Sequence, residues 1–180
     1  MDAFDPHRRS FLVGAGSLGL TQVLPSASAH ATHQGYVLSA AEGETLIHFR
    51  DHGAIIIKAS PVTGSDQLAL GTQQVMPGTG IPTHRHFHMD EVFYVLEGSG
   101  SFVLNDVPHS IEKGTTVFIP RNAWHGFQNP DHELLLLWIV SPSGLEGFFR
   151  ETCTAPGTPS KQLTREQIHE IALKYGTEFR

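Results

Sequence analysis

Short apolar runs broken by turn residues fill the chain between residues 45 and 140, and in that span apolar positions nowhere recur at the helical period. Runs rich in β-branched and aromatic residues predict strands over 45–49, 54–59, 67–76, 83–87, 91–96, 101–104, 115–119, 124–128 and 133–140. Asp51-His52-Gly53 makes a hairpin turn between the first two, and the stretch 77–80 ends the third. Strands this short and this numerous predict an all-β sandwich or barrel. The last run, ELLLLWIV, is apolar on both faces and must be covered on both. One cover is the barrel interior; the C-terminal helix and a second copy of the chain both remain open as the other.

Past Pro142 the pattern changes. SGLEGFFRE predicts a short helix, TAPGTPS a proline-rich connector, and a second helix follows, opened by a capping box of Thr164 and Gln167. Ile168, Ile171, Ala172 and Tyr175 share one face of it, and Gly176 stands where a C-terminal cap belongs. This helix is expected to pack on the barrel, because a DNA-reading helix pair joined by a tight turn is not visible.

A length of 180 residues suits one well-cored domain. The formal charge of −6 and the absence of any lysine/arginine stripe exclude the footprint of a nucleic-acid binder, which leaves small molecules as the expected partners. The single cysteine, Cys153, rules out an intramolecular disulfide and is expected to be chemically inert.

Arg8-Arg9 precedes an apolar stretch over 11–24 that is too short to span a bilayer as a helix. HRRSFLV resembles the twin-arginine export signal, with His7 where serine or threonine is usual. Ala27-Ser28-Ala29 offers a small-x-small cleavage site, with Ala29-His30-Ala31 as an alternative. The resemblance implies a signal over residues 1–31 and a periplasmic or secreted domain over 32–180, with no stable membrane span once the signal is removed. Within that domain the barrel is expected at about 45–140 and a helical tail at 143–180.

The chemistry concentrates in PTHRHFHMDEVFYVLEG. On a strand His84, His86 and His88 point to one face, and two imidazoles at i and i+2 can grip one ion. A turn through 87–90 would bring Glu91 back beside them, so a fourth ligand must come from elsewhere. Gly78, His84, His86, Glu91 and Gly98 together resemble the first cupin motif, and Gly114, Pro120, Asn122, His125 and Asn129 the second, with Asn122 replacing a glycine. Asparagine tolerates the left-handed backbone that glycine would adopt there.

The resemblance implies a single cupin barrel, a double-stranded β-helix or jelly roll, with His84, His86, Glu91 and His125 as ligands of one divalent transition metal ion. Three imidazoles and one carboxylate suit Fe, Mn, Ni, Cu or Zn and leave positions for water, substrate or dioxygen. His88 is left as a supporting group or alternative ligand. Asp90, Gln73 and Gln74 could support ligands or line the pocket. Phe93 and Val95 share the face of Glu91, and Phe127 that of His125, so the ion should sit in an apolar cavity. His48, His52, His109 and His132 fall in or beside predicted turns and are expected at the surface.

By resemblance to quercetin-dioxygenase-like cupins, the expected activity is a metal-dependent oxidoreduction of a small enolic or phenolic compound, with Glu91 as the proton acceptor. Two other readings stand beside it: a redox-silent isomerase or lyase using the ion as a Lewis acid, and a non-catalytic binding module. A homodimer is expected from the doubly apolar run at 134–140.

Overall fold

Along each long strand, burial alternates as the pleat requires: Ile55 and Ile57 are buried between half-buried Ala54, Ile56 and Lys58, and Gly71, Gln73 and Val75 between half-buried neighbours. The computed structural model describes residues 34–129 and 131–180, and the proposed export signal and its cleavage sites lie outside them.

The strands are β1 (Glu44–Ile47), β2 (Ala54–Ala59), β3 (Ala69–Val75), β4 (Thr79–His86), β5 (Asp90–Glu97), β6 (Ser99–Leu104), β7 (Val107–Glu112), β8 (Thr116–Ile119), β9 (His125–Asn129), β10 (Leu134–Ser141) and β11 (Thr177–Phe179). Two helices, α1 (Leu145–Thr152) and α2 (Arg165–Lys174), lie between β10 and β11. A six-stranded sheet runs β1-β2-β3-β10-β5-β8, and a five-stranded sheet runs β11-β4-β9-β6-β7. The all-β jelly-roll barrel expected from the sequence is the fold observed.

The core lies between the sheets. Ile55, Val75, Phe93, Val95, Leu134, Leu136, Trp138 and Val140 from the first meet Phe102, Ile111 and Phe127 from the second. β10 sits inside its sheet, paired with both β3 and β5. Its even-numbered residues from Leu134 to Val140 are buried, while Leu135, Leu137 and Ile139 are half-buried on the outer face. α1 adds Leu145, Phe148 and Phe149 to the core. α2 is capped as expected, with Gln167 N–H donating to Thr164 Oγ1 (3.2 Å) and Thr164 N–H to Gln167 Oε1 (2.9 Å). No helix among the described residues is long and apolar enough to cross a membrane.

Three features depart from the sequence reading. β4 begins at Thr79, inside the stretch read as a turn: the turn is completed between Met76 and Thr79 (3.2 Å), and Thr79 pairs at once with Asn129. β7 was not expected. It follows a two-residue turn in which Asn105 and Asp106 both take positive φ (48° and 67°), and only Ile111 of its residues is buried, so no apolar alternation marks it. β11 was not expected either, and it completes the site described next.

Candidate metal centre

β4 carries His84 and His86 two residues apart and facing inward, and β9 sets His125 directly opposite His84. The chain then turns through 87–89 into β5, which begins with Asp90 and Glu91. That turn is held from two sides, by Phe87 N–H on Gly176 O (2.8 Å) and by Asn122 N–H on His86 O (2.7 Å). Asn122 makes its bond from the left-handed region, at φ 66°, as its replacement of a glycine required. One potential ligand atom from each of His84, His86, Glu91 and His125 lies within 4.8 Å of the other three. All four residues are buried. His88 is exposed and stands outside the cluster.

The outer nitrogen of each ring is anchored. His84 Nδ1 lies 2.9 Å from Pro82 O and His125 Nδ1 3.0 Å from Ala123 O. A carbonyl only accepts, so both rings donate from Nδ1 and turn Nε2 inward. His86 Nδ1 is held at 2.8 Å by Thr177 Oγ1 from β11.

The consequence appears at Glu91. Its Oε2 lies 3.1 Å from both His86 Nε2 and His125 Nε2. With Nδ1–H given to Ala123, neutral His125 presents a lone pair to a carboxylate, and His125 Nε2 has no hydrogen-bond partner among the described residues. Two buried acceptors at that distance need a proton or a metal ion between or beside them. Burial alone would raise the Glu91 pKa; when His86 and His125 are protonated, their charge and hydrogen bonds outweigh it and hold the carboxyl well below its usual range, a part that a bound cation would take over from the neutral rings. Burial, then His125 and His86, push His84 well below the ordinary imidazole value. The residues therefore fit a divalent cation: neutral imidazoles and an ionised carboxylate are the forms that ligate one.

The cavity at this cluster is about 30 Å³. Phe93, Trp138, Phe148 and Phe149 supply apolar walls, as the sequence suggested for Phe93. Gln73 lines it too, buried, with Nε2 unpartnered among the described residues. Gln74 and Asp90 do not: Gln74 accepts from Ala54 N–H (3.2 Å), and Asp90 pairs with Arg121 (3.1 Å).

His48 overturns its surface assignment. It is 2% exposed, lines the cavity, and places Nδ1 2.9 Å from Asp51 Oδ1. Burial lowers its pKa. Asp51 is brought down to about 2 despite burial, by the bond and charge of His48 and by the Gly53 and Met76 N–H groups. The turn residues around His48 concealed this, because a histidine three residues before a turn aspartate reads the same whether the pair is buried or not. His52, His109 and His132 are exposed as expected. Thr177 and Phe179 were missed altogether: Thr177 holds His86, and the Phe179 ring lies 5.3 Å from that of His84. A three-residue strand leaves too little alternation to read.

Similarity to known proteins falls on the same span. A model of the cupin domain family matches residues 71–141. Protein SchB of Streptomyces halstedii is 33% identical over 95 residues, 52% of this chain and 69% of SchB. Dimethylsulfoniopropionate lyase DddW of Ruegeria pomeroyi is 39% identical over 59 residues, 33% of this chain and 38% of the lyase. Quercetin 2,3-dioxygenase of Bacillus subtilis is 25% identical over 115 residues, 64% of this chain and 34% of the dioxygenase. The chain spans little more than a third of either enzyme's length.

Proposed function

The chain belongs to the cupin family, and from that premise we propose that it is a metal-dependent oxidoreductase of dioxygenase type, acting on a small enolic or phenolic compound. In this reading His84, His86, Glu91 and His125 hold one divalent transition ion. The observation that carries it is the buried conflict between His125 Nε2 and Glu91 Oε2, two acceptors 3.1 Å apart, which a cation resolves. When bound, the ion would supply Lewis acidity at a substrate oxygen and, for a redox-active metal, electron transfer.

The chain's own residues do the rest. Glu91, the carboxylate of the cluster, accepts the proton of the substrate hydroxyl. Gln73 offers an unpartnered amide N–H to a substrate oxygen. Phe93, Trp138, Phe148 and Phe149 keep bulk water away from the reacting atoms. Export through the twin-arginine route, as residues 1–31 suggest, belongs to the same proposal; fractionation of cells carrying Arg8→Lys with Arg9→Lys tests it.

The test of function is anaerobic mixing of metal-loaded protein with flavonols and β-diketones, followed by oxygen. Oxygen uptake that depends on the metal and is lost in Glu91→Gln is the expected result, and no uptake across the series overturns the reading. The match to a lyase favours a second reading, metal-assisted bond cleavage without oxidation. Turnover with Zn(II) in the absence of oxygen would select it.

A further inference from the structure

The cavity at the ligand cluster, about 30 Å³, has room for roughly two water molecules. A substrate can place only its reacting atoms there. Next to it lies a groove of about 640 Å³, within the range of small-molecule sites. Arg50 and Phe179 line both.

The groove differs in sign from the rest of the molecule. Its charged lining is Arg50, Arg165 and Arg180, with His169 beside them, and no aspartate or glutamate among the described residues lines it. The whole chain carries 18 acidic against 12 basic residues. The cations are not equally free. Arg180 is paired with Asp106 and lies over Trp124 at 4.9 Å. Arg50 gives one N–H to Gly80 O at 2.6 Å and feels the charge of the neighbouring Asp51, but no carboxylate is hydrogen-bonded to its guanidinium among the described residues. Arg165 has Glu166 as its sequence neighbour but no hydrogen-bonded carboxylate among the described residues. Phe49, Pro82, Ile168 and Phe179 make the remaining wall apolar.

We infer that this groove binds the anionic end of the substrate, a carboxylate on a flat apolar body, with Arg165 and Arg50 as its charge partners. The inference rests on reading the cluster as a metal centre for a small substrate, and it names that substrate's class. A guanidinium fork matches a carboxylate with two parallel N–H donors. A phosphate dianion would call for more positive charge than Arg165 and Arg50 leave once Arg180 is neutralised by Asp106. The apolar wall takes the body, and Phe179 stands where the groove meets His84.

Isothermal titration of the full-length protein, metal-loaded and metal-depleted, separates this inference from the metal reading. The probes are benzoate, cinnamate and 2-naphthoate, each against its neutral alcohol, with 2-naphthyl phosphate alongside. At least one carboxylate should bind about tenfold or more tightly than its alcohol, in both forms of the protein. Arg165→Glu should abolish that advantage while the circular dichroism and metal content stay those of the parent. Raising the salt from about 50 to 500 mM should shrink the advantage severalfold. No carboxylate preference, a preference confined to the metal-loaded form, tighter binding of the phosphate, or an unchanged preference in Arg165→Glu would each overturn the inference. All four of these leave the metal reading standing, and failure to bind metal leaves the groove result standing.

Discussion

Thr177 and Asp51 each hold a cavity histidine by one hydrogen bond, and they should answer to different measurements. Thr177→Val keeps the side-chain shape but removes the hydroxyl that anchors His86 Nδ1 at 2.8 Å. Metal affinity should fall about 10- to 100-fold, the usual cost of losing a ligand's supporting group. Chelator competition would read it, and equal affinity would show that Thr177 does not orient the ring. Asp51 bears on stability instead. Its folded pKa of about 2 lies below the unfolded value, so its contribution is complete above about pH 4 and drains away as the pH falls toward 2. Urea unfolding should find Asp51→Asn roughly 2 kcal/mol less stable at pH 7, with the gap about halved near pH 3 and closing only as the pH falls through 2. A gap independent of pH would assign the loss to hydrogen bonds alone. The sequence made His84, His86, Glu91 and His125 legible because strand alternation and motif spacing agreed. His48 was illegible because burial of a turn depends on what packs over it, here Phe148 from α1, whose ring lies 6.4 Å from that of Phe49.

Among the elements, β10 is fully covered on its inner face only: Leu135, Leu137 and Ile139 stay half-buried on the outer one, where the sequence calls for a cover. Across the outer face Ile139 stands opposite Leu70 on β3 and Val92 on β5, and Val92 opposite Phe118 on β8. That apolar row crosses four strands and ends at Phe118, 59% exposed, with Tyr94 at 40% nearby on β5. The homodimer proposed from the sequence would use this row, because a second copy offers the same strip in return. Sedimentation at micromolar concentration should give a dimer, and Phe118→Glu a monomer with unchanged circular dichroism; a monomeric parent protein removes the proposal. The elements that sequence reading missed share a cause. β7 has one buried residue, and β11 has three residues in all. Such strands are fixed by their partners, β7 by its hairpin with β6 and β11 by β4 far back along the chain, where Arg85 holds Glu178 at 2.7 Å, and not by their own pattern.

At the scale of the molecule, the ligands join what the chain keeps apart. Glu91 belongs to the six-stranded sheet, whereas His84, His86 and His125 belong to the five-stranded one. An ion held by all four would cross-link the two sheets through the core and, by way of His86 and Thr177, hold the C-terminal strand as well. In the unfolded chain these ligands are dispersed, so the ion binds the folded state and stabilises it by mass action, about 2.7 kcal/mol at a hundredfold excess over Kd. For a domain of this size that is a rise in Tm of roughly 5–10 °C. Imidazoles must be neutral to bind, so protons compete with the ion and the rise should be larger at about pH 7.5 than at about pH 5.5. Thermal scans in chelator and in each of Mn, Fe, Ni, Cu and Zn, at pH 7.5 and 5.5, would measure it. The ion giving the largest rise at pH 7.5 should lose that rise in His125→Ala. If no ion raises Tm, the four residues are a buried polar cluster satisfied by protons, and the metal-centre reading fails.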